Sequence, residues 1–132
     1  MDLEVLNIAA DTANNRGVEN RTHVSKLKNS MCGDEIQIEL ILKNEKILDF
    51  GYQGKSCVYC QASASLLSKI SINNQKEKIN DLCDKAELYF NDDVKIIDKN
   101  WNSLKKLIKK KNINKKDCIL LPFKTLKKIV SS

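Results

Sequence analysis

Apolar and polar positions alternate along this chain in patterns that change from one segment to the next. In the first ten residues Leu3, Leu6, Ile8, Ala9 and Ala10 supply one helical stripe, which Asn14, Asn15 and Gly17 end. Irregular chain follows to about residue 30. From Glu35 the period becomes two: Ile36, Ile38, Leu40 and Leu42 alternate with Gln37, Glu39 and one off-pattern apolar residue, Ile41. This predicts a half-buried strand. Lys43-Asn44-Glu45-Lys46 reads as a turn, and Ile47, Leu48, Phe50 and Tyr52 as a second strand ending at Gly54, so an antiparallel hairpin is expected. After Gly54-Lys55-Ser56 the pattern turns helical. Ala62, Ser63, Ala64, Ser65, Leu66, Leu67 and Ile70 offer small residues for close packing on a sheet, and Asn73-Asn74 closes the element.

A second helix is predicted from about Ile79 to Phe90, with Ile79, Leu82, Cys83, Ala86 and Phe90 on one face. Asp92 and Asp93 suit the start of a third, whose apolar positions are Val94, Ile97, Trp101, Leu104 and Ile108. Asn112 to Leu121 reads as a loop. Pro122, permitted in a first turn, is expected to open the last helix, with Phe123, Leu126, Ile129 and Val130 inward. The expected fold class is α/β of the α+β kind: a small antiparallel sheet of about two to three strands packed against about four to five helices.

A chain of 132 residues fits one domain, and a single domain over 1–132 is expected. Its 42% hydrophobic and 30% charged residues suit a packed, soluble globule. No apolar run approaches the ~18–20 residues of a membrane span. Met1-Asp2-Leu3-Glu4 lacks the basic-then-apolar order of a secretory signal, so a cytoplasmic protein is expected. The net charge of +6 is uneven, with eleven lysines against Asp117 alone between Lys99 and Lys128. Such a surface attracts acidic partners. Arg16 and Arg21 are the only arginines, and aromatics are few, so the basic third reads as a solvated or protein-docking face. Nucleic-acid binding is the weaker reading. His23, the only histidine, sits in a polar stretch and reads as an ordinary surface residue.

The five cysteines carry the chemistry. A disulfide framework does not suit an odd number in a cytosolic chain, which leaves buried thiols, a metal site or thiol chemistry. Cys32 lies in the turn before the first strand and Cys57 between the second strand and the helix after it, so a hairpin brings them to one end of the sheet. Asp34 can point into the same space, and Gly33 between them tolerates unusual backbone angles. Cys118 falls in the predicted loop before the last helix. Cys32, Asp34, Cys57 and Cys118 make a candidate four-ligand set, and soft sulfurs select zinc or iron–sulfur centres. Cys83 reads as a small buried hydrophobe. Cys57-Val58-Tyr59-Cys60 has redox CxxC spacing, but a hairpin-to-helix context is not the parallel βαβ unit of a thioredoxin. Cys60 is either a spare thiol near the site or a packing residue.

Met31-Cys32-Gly33-Asp34-Glu35-Ile36-Gln37-Ile38, Gly54-Lys55-Ser56-Cys57, Gln61-Ala62-Ser63-Ala64-Ser65 and Cys118-Ile119-Leu120-Leu121-Pro122 together resemble the NifU/IscU-like iron–sulfur cluster assembly scaffolds. The long spacer before Cys118 looks most like the SufU branch. The resemblance covers roughly residues 30 to 130. It implies a compact α/β fold and a function as scaffold. Cys32, Asp34, Cys57 and Cys118 would hold a transient [2Fe–2S] cluster, iron, or alternatively zinc. It further implies a pyridoxal-phosphate cysteine desulfurase as sulfur donor, apo-proteins as recipients, and a monomer or homodimer. By resemblance to the SufU branch, Cys32 would accept the sulfane sulfur, and a zinc-dependent sulfurtransferase is the alternative function. Ser56 and the added thiol Cys60 depart from the family pattern.

Overall fold

A computed structural model of the protein describes residues 2–31, 33–91 and 99–131. The elements run α1 (Leu3–Ala10), β1 (His23–Lys28), β2 (Glu35–Lys43), β3 (Lys46–Lys55), α2 (Val58–Ser71) and α3 (Lys76–Asn91). Two 3₁₀ segments, Lys99–Lys106 and Lys110–Lys115, lead to α4 (Lys116–Val130). The sheet is antiparallel in the order β1-β2-β3. The architecture is therefore the expected α+β one, with a three-stranded sheet backed by helices.

The hairpin follows from its turn. Asn44 and Glu45 both have positive φ, 53° and 65°, the combination that matches the right-handed twist of two flanking strands. The ladder sets Ile38 opposite Tyr52 and Leu40 opposite Phe50, all buried. A register shift between Ile41 and Leu42 interrupts the alternation, which accounts for the off-pattern Ile41. At the open end Glu35 pairs with Lys55 and Ile36 with Gly54. Gly54 has φ +154°, and a Cβ there would lie 2.1 Å from the carbonyl oxygen of Glu35. Only glycine lets the strands close up at this point, one residue from Asp34.

Helix α2 is the hub. Its small residues Ala62, Ser63, Ala64, Ser65, Ser68 and Ser71 are all buried, and the helix touches α1, α4 and β3. The serines are used as polar contacts within a tight interface. Ser63 Oγ donates to the Ile119 carbonyl on α4 at 2.6 Å, and Ser65 Oγ donates to the Asp11 carbonyl at 2.9 Å. Cys83 on α3 is buried, and that burial pushes its thiol up to about 12, as suits an inert packing residue. Among the described residues no helix is long and apolar enough to cross a membrane.

Three expectations need correction. Irregular chain was expected through residue 30, but His23–Lys28 is an edge strand, β1. None of its residues is fully buried, so it carries no alternating hydrophobic signal. The third helix is replaced in its described part by 3₁₀ turns, with Trp101 at φ −114°, ψ 19°. Asp92, Asp93, Val94 and Ile97 lie outside the described residues. Finally, α4 begins at Lys116, six residues before Pro122, so Pro122 is inside the helix and Cys118 is in its first turn, not in a loop. Proline inside a helix costs about 3 kcal/mol. Here Ile119, Leu120, Leu121 and Phe123 are all buried around it, and that burial outweighs the cost.

The segment between α1 and β1 is held onto the sheet by a buried carboxylate. Glu39 on β2 is 5% exposed, accepts from the Val18 N–H at 3.1 Å and the Gln37 amide at 2.9 Å, and pairs with Arg21 at 3.0 Å. Burial alone would raise its pKa. The bonds from Val18, Arg21 and Gln37 outweigh that and hold it below the ordinary 4.5. A carboxylate with a depressed folded-state pKa adds stability above its unfolded value, and loses it as pH falls through the folded one. Stability in urea should therefore decline once pH drops below 4.5. Glu39→Ala, which strands the Val18 N–H, should cost about 1–3 kcal/mol at neutral pH and flatten that acid limb. An acid limb as steep in the variant as in the parent would contradict this role.

The lysine-rich third is partly neutralised from within. Lys109 and Lys111 approach Asp2, Lys116 pairs with Glu87, and Lys127 bonds Asp84. Each such surface pair contributes little stability; those of Lys116 and Lys127 link α4 to α3, and those of Lys109 and Lys111 link the preceding 3₁₀ segment to the start of α1.

Candidate metal and cluster centre

The residues of interest gather where the hairpin opens toward two helix starts. A turn begins at Asn29, whose carbonyl accepts from the Gly33 N–H at 2.8 Å and whose own N–H donates to the Asp34 carbonyl at 2.7 Å. Gly33 takes φ +78°, the left-handed geometry that its place beside Asp34 anticipated. Asn29 Oδ1 also accepts from the Met31 N–H at 2.9 Å, which stiffens the same turn. Sequence reasoning passed over Asn29, although Asn29-Ser30 is a turn signal.

Asp34 is 6% exposed, and its two oxygens have different roles. Oδ1 accepts from the backbone N–H of Cys57 at 3.0 Å, tying the start of β2 to the start of α2. Oδ2 is buried and has no hydrogen-bond partner among the described residues. A buried carboxylate oxygen without a donor is costly, and a bound cation is one way to satisfy it.

Cys57 is the N-cap residue of α2, yet its side chain makes no capping bond. Cys118 is the third residue of α4 and is 8% exposed. Two helices thus present their N-terminal ends to one spot, an arrangement that favours anionic groups. One carboxylate oxygen of Asp34 and the sulfurs of Cys57 and Cys118 all lie within 4.8 Å of one another. The structure therefore brings three of the four candidate residues together. Cys32, the fourth, lies outside the described residues. Tetrahedral zinc with sulfur and oxygen ligands sets those ligand atoms roughly 3.5 Å apart, so small side-chain adjustments suffice to close the set on one ion.

Beside the site, Lys115 Nζ lies 5.7 Å from the centroid of the Tyr59 ring. This cation–π contact bridges the first turn of α2 and the residue preceding α4, the two elements that supply the thiols. Nothing in the hydrophobic pattern marks that pair, because the two residues are 56 positions apart.

Comparison with known proteins bears on this geometry. The profile of the NifU-like N terminal domain family matches residues 4–87, a span that includes Asp34 and Cys57 but ends before Cys118. The chain is 31% identical over 125 residues to an uncharacterized protein of Borreliella burgdorferi, covering 95% of this chain and 86% of that one. It is 36% identical over 70 residues to the iron–sulfur cluster assembly scaffold protein IscU of Thermotoga maritima, covering 53% of this chain and 49% of that one. Among solved structures, the N-terminal part of a nitrogen-fixing NifU-like protein from Brucella abortus superposes with a TM-score of 0.87. It is 15% identical and covers 98% of this chain and 91% of that one, a likeness of fold. A putative iron–sulfur cluster assembly scaffold protein for the SUF system from Fervidobacterium islandicum gives 0.84 at 25% identity, covering 96% of this chain and 93% of that one.

Proposed function

Because the chain belongs to the NifU-like N-terminal domain family, we propose that it is an iron–sulfur cluster assembly scaffold whose cargo is held by Cys32, Asp34, Cys57 and Cys118. The cluster is built there from iron and sulfur and passed to apo-proteins. Sulfur would come from a cysteine desulfurase, with Cys32 as acceptor, on a single domain over 1–132. The observation that carries this reading is the gathering of two thiols and a carboxylate oxygen of buried Asp34 within 4.8 Å, with Asp34 Oδ2 lacking a donor among the described residues. Cys118 lies outside the matched span, so its membership rests on that geometry.

The donor set suits cargo that must leave. Thiolates hold iron tightly, whereas a carboxylate is a harder and weaker partner for a cluster iron. Asp34 is fixed through Oδ1 to the Cys57 backbone, so it offers one oxygen at a set position and little freedom to improve its grip. Asp34→Ala is expected to leave the three cysteines holding a reconstituted cluster for longer, with transfer to an apo-ferredoxin slowed several-fold. Transfer at the parental rate would remove that role from Asp34.

A second reading, a zinc-dependent sulfurtransferase that accepts persulfide sulfur from a desulfurase, is favoured by the compactness of the set. Ligand atoms within 4.8 Å suit a single ion, whereas a dinuclear cluster spreads its ligands over two irons. Anaerobic purification followed by metal and acid-labile sulfide analysis separates the two. Iron with labile sulfide and visible absorption supports the scaffold; zinc without sulfide supports the sulfurtransferase. Failure to take up a cluster on anaerobic reconstitution with ferrous iron and sulfide would overturn the scaffold reading.

A further inference from the structure

Helix α2 carries a second thiol that the proposed ligand set leaves out. Cys57 is the N-cap and Cys60 the third helical residue, so one turn separates them. The Gln61 N–H bonds back to the Cys57 carbonyl at 3.0 Å, which places Cys57 on the helical path. Residues three apart on a helix have Cα atoms about 5 Å apart. That lies inside the roughly 4.4–6.8 Å window a disulfide spans. In a capping box the N-cap and third-residue side chains each reach the other residue's backbone N–H, so the two side chains can lie on the same side of the first turn. The two thiols differ in access: Cys57 is partly exposed, whereas Cys60 is 0% exposed in the core behind it. Both are reduced in this structure.

We propose that Cys57 and Cys60 form a redox pair whose intramolecular disulfide withdraws Cys57 from Asp34 and Cys118 and so disables the metal site. The oxidant is a small disulfide, RSSR, of the glutathione or dithiothreitol type. The Cys57 thiolate attacks one sulfur of RSSR and expels RS⁻, leaving a mixed disulfide. The Cys60 thiolate then attacks the Cys57 sulfur and expels the second RS⁻. Two protein thiols are oxidised, RSSR is reduced to two RSH, and the two thiol protons end on those products. Burial sets the order, because RSSR reaches Cys57 and not Cys60. The Cys57 sulfur can bond to a metal beside Asp34 and Cys118 or to Cys60, so an ion bound at the site protects the pair and oxidation expels the ion. The disulfide itself rests on the thiol geometry alone and does not require that the site carry a cluster.

Trypsin releases residues 56–69 as one peptide with Cys57 and Cys60 as its only cysteines. After the full chain is incubated with excess oxidised dithiothreitol, quenched in acid and alkylated, that peptide should be two hydrogens lighter and unalkylated. It should accept two alkyl groups after reduction, and prior loading with zinc should slow its oxidation. In parallel, the thiolate-to-cobalt absorption of the cobalt-loaded protein should disappear on oxidation of the parent and persist in Cys60→Ala. Recovery of both cysteines alkylated from oxidised parent would overturn the proposal, as would a link from Cys57 to another cysteine's peptide. So would loss of the cobalt band in Cys60→Ala as complete as in the parent. If Cys60→Ala does not fold by far-ultraviolet circular dichroism, the parental peptide mass decides alone. Absence of a cobalt band even in the reduced parent would count against the ligand assignment, while the peptide mass still tests the disulfide.

Discussion

Cys118→Ser should lose metal binding while keeping the fold. Serine is nearly the size of cysteine and Cys118 lies in the first turn of α4, so the apo-protein should melt close to the parent. A neutral hydroxyl is a poor substitute for a thiolate toward zinc, cobalt or iron. Loss of an outer partner of a metal ligand already costs roughly 10–100-fold in affinity, and loss of a ligand itself should cost at least as much. Competition titration of cobalt against a chromogenic chelator measures this directly. Parental affinity in Cys118→Ser would mean that the closeness of its sulfur to Cys57 and Asp34 is packing, with no part in ligation.

The opposite dissociation is expected from Phe123→Ala. Phe123 is 1% exposed on α4, five residues beyond Cys118, and α4 packs against α2, α3, β1 and β2. Truncating a buried phenylalanine costs about 3–5 kcal/mol through lost transfer energy and the cavity left behind. Against a typical total of roughly 5–15 kcal/mol this is a large share, so the midpoint in urea should fall steeply. Metal affinity should fall as well, because α4 carries Cys118 to the site, but binding should recover as saturating metal restores the fold. Phe123→Leu, which keeps most of the volume, should lose much less. A midpoint unchanged in Phe123→Ala would show that α4 is held by other contacts.

Different parts of the molecule were legible to different degrees. The hairpin and α2 could be read because their signals are local: strict alternation from Ile36 to Leu40, a polar turn at Asn44, and a run of small residues after Ser56. β1 could not, since an edge strand with both faces partly wet carries no period to detect. The start of α4 was misread because Pro122 obeys a local rule that buried neighbours override. The trio at the site was legible in part. The hairpin register alone brings Asp34 toward Cys57, since Glu35 pairs with Lys55. Cys118 has no such local tether.

The sequence by itself determined which elements have strong periods, which residue types could bind a soft metal, and that the excess positive charge lies in the last third. Tertiary structure alone decided that Cys118 sits on a helix whose first turn faces Cys57, that Asp34 bonds the Cys57 N–H while a carboxylate oxygen of it lies near both sulfurs, and that Cys60 lies buried one turn behind a partly exposed thiol. The physical reason is range. Periodicity and turn chemistry act over a few residues, whereas bringing residues 57 and 118 together depends on how α2, α3 and α4 share one core, a sum of many contacts that no short stretch of chain encodes.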